Sequence, residues 1–277
     1  MLKFVVLADL HLVPEGELCH GLDTADRLRR VIDHVNEHHG DADFCVIAGD
    51  IADRGEQAAY ERFKKIVAKL RLPLYATLGN HDRGPAYLEL FGAECADETG
   101  CLDHIVDVKG HRVIVLDSSQ PGVGAGVLQP EQHDWLRARL AEAHDMAVIV
   151  VLHHNVTQFH VQTDFIILED SDTFLDILKT HPDVRQVVSG HVHMNTSGTV
   201  RGIPFCTFAG NHYTIAPTLA SRSGPFPGGV PRYEGPGQYA VVLADSRSTV
   251  VHFENFIDRH IVMAPELFWK KPLSKIP

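Results

Sequence analysis

The sequence predicts an α/β fold on three observations. Short runs rich in Val, Ile and Leu recur through the first two thirds of the chain, segments of helical periodicity separate most of them, and polar side chains able to hold a metal follow the runs directly. Apolar runs of this length suit strands buried on both faces, and alternation with helices suits a largely parallel sheet.

In order, the runs 4–8, 44–48, 74–78, 113–116, 147–152 and 185–189 are expected strands. Between the first two, Leu28, Val31, Ile32 and Val35 follow the i, i+3, i+4, i+7 rule of an amphipathic helix. Phe63, Ile66, Val67 and Leu70 repeat it between the second and third. Pro130, fitted to a first helical position, opens another helix carrying Trp135, Leu136 and Leu140. Beyond Gly198 the texture changes: 203–208, 238–243 and 249–256 read as strands, but Gly- and Pro-rich connections replace helices, so this part is expected to be more antiparallel and to form a second sheet. The stretch 221–237 reads as a long ordered loop.

With 277 residues, 44% of them hydrophobic and 22% charged, the chain can bury a sizeable core, and 1–277 is read as one domain. A formal charge of −11 argues against a nucleic-acid polymer or an anionic membrane as partner. The five cysteines form no Cys-x-x-Cys pair, which fits a reducing cytoplasm better than a disulfide framework. No leader and no membrane-spanning run is read. The tail 256–277 carries Leu267, Phe268 and Trp269 among lysines and prolines, a composition suited to packing on a neighbouring element or subunit.

Seven residues stand out: Asp9 and His11 in Ala-Asp-Leu-His, Asp50 in Gly-Asp, Asn80 in Gly-Asn-His-Asp, His153 in Leu-His-His-Asn, and His191 and His193 in Gly-His-Val-His. Carboxylate, imidazole and amide oxygen are the mixed donors that divalent first-row metals accept. Each cluster follows an apolar run, at the carboxyl end of a strand, where open α/β sheets bind ligands. Asp9 and His11 are two apart, as are His191 and His193, so an extended backbone would aim both members of a pair to one side. Singly, each motif is ordinary: Gly-Asp is usually a turn, and among 19 histidines a His-His pair is usually structural. Together they indicate a two-metal site for phosphate esters.

These five blocks resemble the signature of the calcineurin-like metallophosphoesterases. Their spacing and the Leu-His-His form are most similar to the bacterial class III cyclic-nucleotide phosphodiesterases and the related glycerophosphodiesterases, specifically from residue 4 to about 193. The resemblance implies a two-sheet sandwich flanked by helices, a homo-oligomer, and two divalent ions of iron, manganese, zinc or cobalt. It places Asp9, His11 and His193 on one metal, Asn80, His153 and His191 on the other, and Asp50 between them. It further implies that a hydroxide bridging the metals attacks a small phosphodiester: a cyclic nucleotide, a 2′,3′-cyclic nucleotide or a glycerophosphodiester. His81 is then the non-ligand histidine that stabilises developing charge or protonates the leaving alkoxide, and Asp53 the aspartate that accepts its hydrogen bond. Two other readings stand beside that one: Asp53 capping the helix that begins near Glu56, and Asp82 partnering His81. His154 is read as a bystander.

Two prolines usual after the double histidine are replaced by Asn155 and Val156, and 156–170 is expected to form a pocket wall, lid or oligomer contact. Cys19, His20 and Asp23 are read as solvated loop residues, and His212 as facing the leaving group. Alternatives are a phosphomonoesterase, favoured by Asp53-Arg54-Gly55 but with no set of pocket arginines read from the sequence, and an inactive scaffold, disfavoured because no ligand is missing.

Overall fold

Two sheets packed face to face, each covered outside by helices, form the frame of the computed structural model, which describes residues 1–120, 122–217 and 231–257. The first sheet has β1 (Leu2–Leu7), β2 (Phe44–Ala48) and β3 (Leu74–Thr77) in parallel, extended by antiparallel β12 (Gln238–Ala244) and β13 (Thr249–Asn255), in the order β13-β12-β1-β2-β3. The second runs β4-β5-β6-β7-β9-β8. Its centre, β5 (His111–Leu116), β6 (Ala147–Leu152), β7 (Val184–Ser189) and β9 (Ile203–Thr207), is parallel, and its edges, β4 (His104–Val108) and β8 (Thr196–Val200), are antiparallel.

The period-2 alternation of a strand sorts each apolar run between two cores. In β1, Phe4 and Val6 face the other sheet, where they meet Val113, Val115, Ile149, Val151 and Val188. Val5 and Leu7 point the opposite way, under α1 (Thr24–His38) and α2 (Gln57–Val67), whose Leu28, Val31, Ile32, Val35, Phe63 and Ile66 are buried as the periodicity predicts. On the far side α4 (Pro130–Glu142) and α5 (Ser171–Leu178) cover the second sheet with Trp135, Leu136, Leu140, Phe174 and Leu178. The result is a helix, sheet, sheet, helix stack. Asp23, solvated as expected, also starts α1 by accepting from the backbone N–H groups of Ala25 at 3.1 Å and Asp26 at 3.0 Å.

The predicted strands are present to within a residue or two, and the antiparallel character of the C-terminal part holds. Its strands, however, do not make one further sheet. They complete the edges of both main sheets, and only β10 (Tyr213–Ile215) and β11 (Arg232–Glu234) form a separate two-stranded sheet. The periodicity also missed β4, β8, α3 (Gly84–Phe91) and α5, all short and partly exposed. Most of 221–237 and nearly all of 256–277 lie outside the described residues. Among the described residues no helix is long and apolar enough to cross a membrane.

Candidate metal centre

All seven expected ligands converge at the carboxyl edge of the sandwich. Asp9 and His11 follow β1, Asp50 follows β2, Asn80 follows β3, His153 follows β6, and His191 and His193 follow β7. Six of the seven side chains are buried, Asn80 being half-buried. The pairs do not reach the cluster through extended backbone, as their spacing suggested: Asp9 (φ 57°), His11 (45°), Asp50 (52°), His191 (71°) and His193 (49°) all take left-handed conformations. Non-glycine residues pay a steric cost there, and such strain gathers at functional sites.

Glycines precede three of these residues because the cluster is crowded. A Cβ on Gly79 would lie 2.3 Å from Asp50 Oδ1 and 2.8 Å from His153 Nε2, and one on Gly49 would lie 2.6 Å from His153 Nδ1. The Gly-Asp and Gly-Asn motifs thus keep side chains out of space the donors need.

Each of the four expected ligand histidines has one ring nitrogen engaged outward and the other turned into the cluster. His153 Nδ1 is paired with the Ala48 carbonyl at 2.8 Å, His193 Nδ1 with the Tyr213 carbonyl at 3.0 Å, His191 Nε2 with the Ile166 carbonyl at 2.9 Å, and His11 Nδ1 with Asp53 Oδ1 at 3.1 Å. A carbonyl or carboxylate accepts, so in the neutral form of each ring the engaged nitrogen carries the proton and the inward one is left as a lone-pair donor. The inward nitrogens crowd together: His11 Nε2 is 3.2 Å from His193 Nε2, and His191 Nδ1 is 3.2 Å from His153 Nε2. His153 Nε2 is also 3.2 Å from Asn80 Oδ1.

Asp50 lies between the two groups, its Oδ2 3.6 Å from His11 Nε2 and 3.4 Å from His153 Nε2, while its Oδ1 accepts the His81 backbone N–H at 3.0 Å. Asp9 Oδ1 accepts the His191 backbone N–H at 3.0 Å, but buried Asp9 Oδ2 has no hydrogen-bond partner. Burial pushes Asp9 up to about 7, against the pull of His153. Burial also holds His193 well below the usual imidazole range and takes His191 down to about 3. For His153 burial is outweighed by the Asp50 carboxylate, which lifts it to about 9. Crowded lone pairs and an orphaned carboxylate oxygen are what a buried site for cations presents, so the donors fit divalent metals.

Asp53 departs from expectation. Its carboxylate serves His11 and stands 3.8 Å from His81 Nδ1, whereas its backbone carbonyl pairs with His81 Nδ1 at 2.6 Å. Nor does it cap α2, whose N-cap is Glu56. Asp82 does not touch His81 either. Buried, it accepts from the backbone N–H groups of Ile51, Ala52 and Gly79 and from the Tyr60 hydroxyl at 2.9–3.0 Å, tying the Asp50 loop to the Asn80 loop. For His81, burial opposes a charge, but Asp50 and the Asp53 carbonyl raise it above the usual imidazole value.

His154 is buried with Nδ1 2.8 Å from Ser118 Oγ and Nε2 without a hydrogen-bond partner, and with His153 and His191 it forms a group whose donor atoms lie within 4.8 Å of one another, so the structure does not set it apart as a bystander. Buried His212 donates Nε2–H to the Cys19 carbonyl at 3.0 Å, with its ring 5.2 Å from that of His11. Cys19 is buried rather than solvated, and His20 is exposed with its ring stacked on His212. In 156–170, Asp164 closes its own loop by accepting from Phe159 N at 2.8 Å and Val161 N at 3.2 Å. That loop brings up the Ile166 carbonyl and leaves Phe165 78% exposed. Sequence reasoning missed Tyr213, whose ring stacks on His193. It also missed Arg83, and it read no pocket arginines, whereas Arg83 and the Arg54 of the Asp53-Arg54-Gly55 run both line a cavity of about 670 Å³ beside Asn80 and His81. Position after Gly-Asn-His is the only signal for Tyr213, and an arginine next to a motif is no signal by itself.

The profile of the calcineurin-like phosphoesterases matches residues 2–195. A protein of Rhodococcus erythropolis named probable cyclic nucleotide phosphodiesterase is 34% identical over 215 residues, 76% of this chain and 71% of that protein. One of Arcobacter nitrofigilis named probable glycerophosphodiester phosphodiesterase is 28% identical over 216 residues, 76% and 79% of the two chains. Among solved structures, a dimetal phosphatase of Danio rerio superposes with a TM-score of 0.67 at 16% identity, over 93% of this chain and 97% of that one, which shows a shared fold. The match spans every one of the five motifs, and with the donor cluster they build, it makes this chain a member of the calcineurin-like phosphoesterase family.

Proposed function

We propose that this chain is a metal-dependent phosphodiesterase acting on a small phosphodiester: a cyclic nucleotide, a 2′,3′-cyclic nucleotide or a glycerophosphodiester. The observation that carries the reading is the convergence of the seven expected donors, with buried Asp9 Oδ2 left unpartnered among them. Asp9, His11 and His193 would hold one ion, Asn80, His153 and His191 the other, and Asp50 would serve both. Iron, manganese, zinc and cobalt all accept this donor set. When bound, a pair of such ions acidifies water and neutralises phosphoryl oxygens.

The chain's own contribution is positioning and proton transfer. His81 is fixed twice, by its backbone N–H on Asp50 and by Nδ1–H on the Asp53 carbonyl, so its Nε2 is the nitrogen free to act. It lines the cavity beside Asn80, where it can hold a phosphoryl oxygen or protonate the leaving alkoxide. Arg54, which a monoesterase would use on a dianionic phosphate, is neutralised by Glu17 at 2.7 Å and Glu56 at 2.6 Å, and this favours a diester. The reading includes one domain over 1–277, a cytoplasmic setting and a homo-oligomer, the last to be measured by light scattering.

The test is hydrolysis by metal-stripped protein reconstituted with manganese, comparing bis(p-nitrophenyl) phosphate with p-nitrophenyl phosphate, alongside Asp50→Ala and His81→Ala. A metal-dependent preference for the diester, lost in both variants, supports the proposal. Preference for the monoester overturns it in favour of a phosphatase, and two bound metals without turnover of either ester would leave a scaffold.

A further inference from the structure

The cavity beside His81 has room for more than a phosphate. Its walls are Asp53 and Arg54, the run from Asn80 to Ala86, and Gly122–Gly124, and its volume of about 670 Å³ is in the range that takes a whole small ligand. A diester bound with its phosphorus at the metal centre has two substituents, and this space can receive one of them.

The wall residues define what that substituent carries. None is an aromatic residue other than His81, so there is no further flat surface on which to stack a base. The carboxylates are already used, Asp53 on His11 and Asp82 on three backbone amides and Tyr60. Arg54 is bound by two glutamates. Arg83 differs: it is exposed, and among the described residues no carboxylate lies within ion-pair distance of its guanidinium. Its aliphatic stem is nonetheless held, because it fills the space over Gly55, where an added Cβ would come within 2.4 Å of Arg83 Cγ. The first turn of α3, which follows Arg83 and lines the same cavity, has no side-chain cap. A held but uncompensated cation in an otherwise neutralised pocket is a place for an anion.

We propose that Arg83 is a specificity-determining residue that binds a second anionic group, a phosphate or carboxylate carried on one substituent of the phosphodiester. This rests on the phosphodiesterase reading and deepens it: the favoured substrates are diesters with a further negative charge beyond the scissile bond.

The test uses the manganese-loaded protein and two linear dinucleotides that differ only in a 5′-phosphate, ApA and pApA, with bis(p-nitrophenyl) phosphate as a reference diester. The expected result is a kcat/KM for pApA about tenfold above that for ApA, the scale of one charge-assisted contact. That ratio should fall to near one in Arg83→Gln and be partly kept in Arg83→Lys. An unaltered ratio in Arg83→Gln overturns the inference, as does an equal loss on both dinucleotides, which would put Arg83 on the scissile phosphate. Turnover of the reference diester with no preference for pApA, or with neither dinucleotide cleaved, also overturns it while leaving the phosphodiesterase reading standing. Failure on all three diesters is failure of that reading itself.

Discussion

Tyr213 lies flat against His193, with ring centroids 3.8 Å apart and planes 10° from parallel, and its own carbonyl accepts the Nδ1–H of the same imidazole. One residue thus fixes both the tilt and the tautomer of an expected ligand. Outer partners of this kind typically change metal affinity by about 10–100-fold. Tyr213→Ala should lower the affinity for manganese by about tenfold, whereas Tyr213→Phe, which keeps ring and carbonyl, should match the parent. Titration of metal-stripped protein measures both, and equal affinity in all three proteins would show that the ring does not orient His193.

Asp53→Asn separates two roles. The carboxylate serves His11, and the carbonyl that holds His81 survives the substitution. The variant should therefore lose metal affinity, by about tenfold or more, while saturating manganese restores most of the turnover. A turnover deficit that persists at full metal occupancy would instead place the carboxylate's effect on His81.

Gly79→Ala puts a methyl 2.3 Å from Asp50 Oδ1. A contact so short forces either the Asp50 side chain or the Gly79 backbone to move, and misplacing a ligand by about 1 Å can cost roughly 100-fold in rate. Diester turnover should fall by that order, with metal content below two ions per chain by atomic emission. Parent-like activity would mean the two loops are more yielding than their packing indicates.

Asp103 offers a pH signature away from the ligands. It accepts the Asp117 backbone N–H at 2.6 Å and the Gln132 side-chain N–H groups at 2.9–3.2 Å, and burial pushes it up to about 8. Because its pKa is higher folded than unfolded, its contribution to stability is complete below the unfolded value near 4 and is lost as pH rises through about 8. With chelator present, the parent Tm should drop between pH 5 and 9. In Asp103→Asn that drop should be smaller by roughly 2–4 °C or more. Parallel Tm curves would show that Asp103 is ionised at neutral pH.

The convergence of the expected donors was legible because each follows an apolar run in β1, β2, β3, β6 or β7, so position along the chain stood in for position in space. Rotamers were not. The family resemblance put Asp53 beside His81 but could not tell its carboxylate from its carbonyl, and the two serve different histidines. The extended backbone assumed for Asp-x-His and His-x-His failed because strands end before these motifs, and crowding around Asp50 bends the chain into left-handed turns that no local propensity announces. Antiparallel pairing in the C-terminal part was foreseen from its Gly- and Pro-rich connections. Which sheet each strand would join was not, since that depends on the edges left open by β1 and β7. Asp82 read as a competing partner of His81 because its four actual partners come from elements that only the fold brings together.

The donors divide between the sheets, Asp9, His11, Asp50 and Asn80 beyond one and His153, His191 and His193 beyond the other, and contacts such as that of His11 with His193 span 182 positions in the chain. During synthesis on the ribosome, then, no fragment that stops short of β7 carries the complete set. The full set of expected donors therefore exists only once the chain has been made through His193, and it closes only when both sheets are in place.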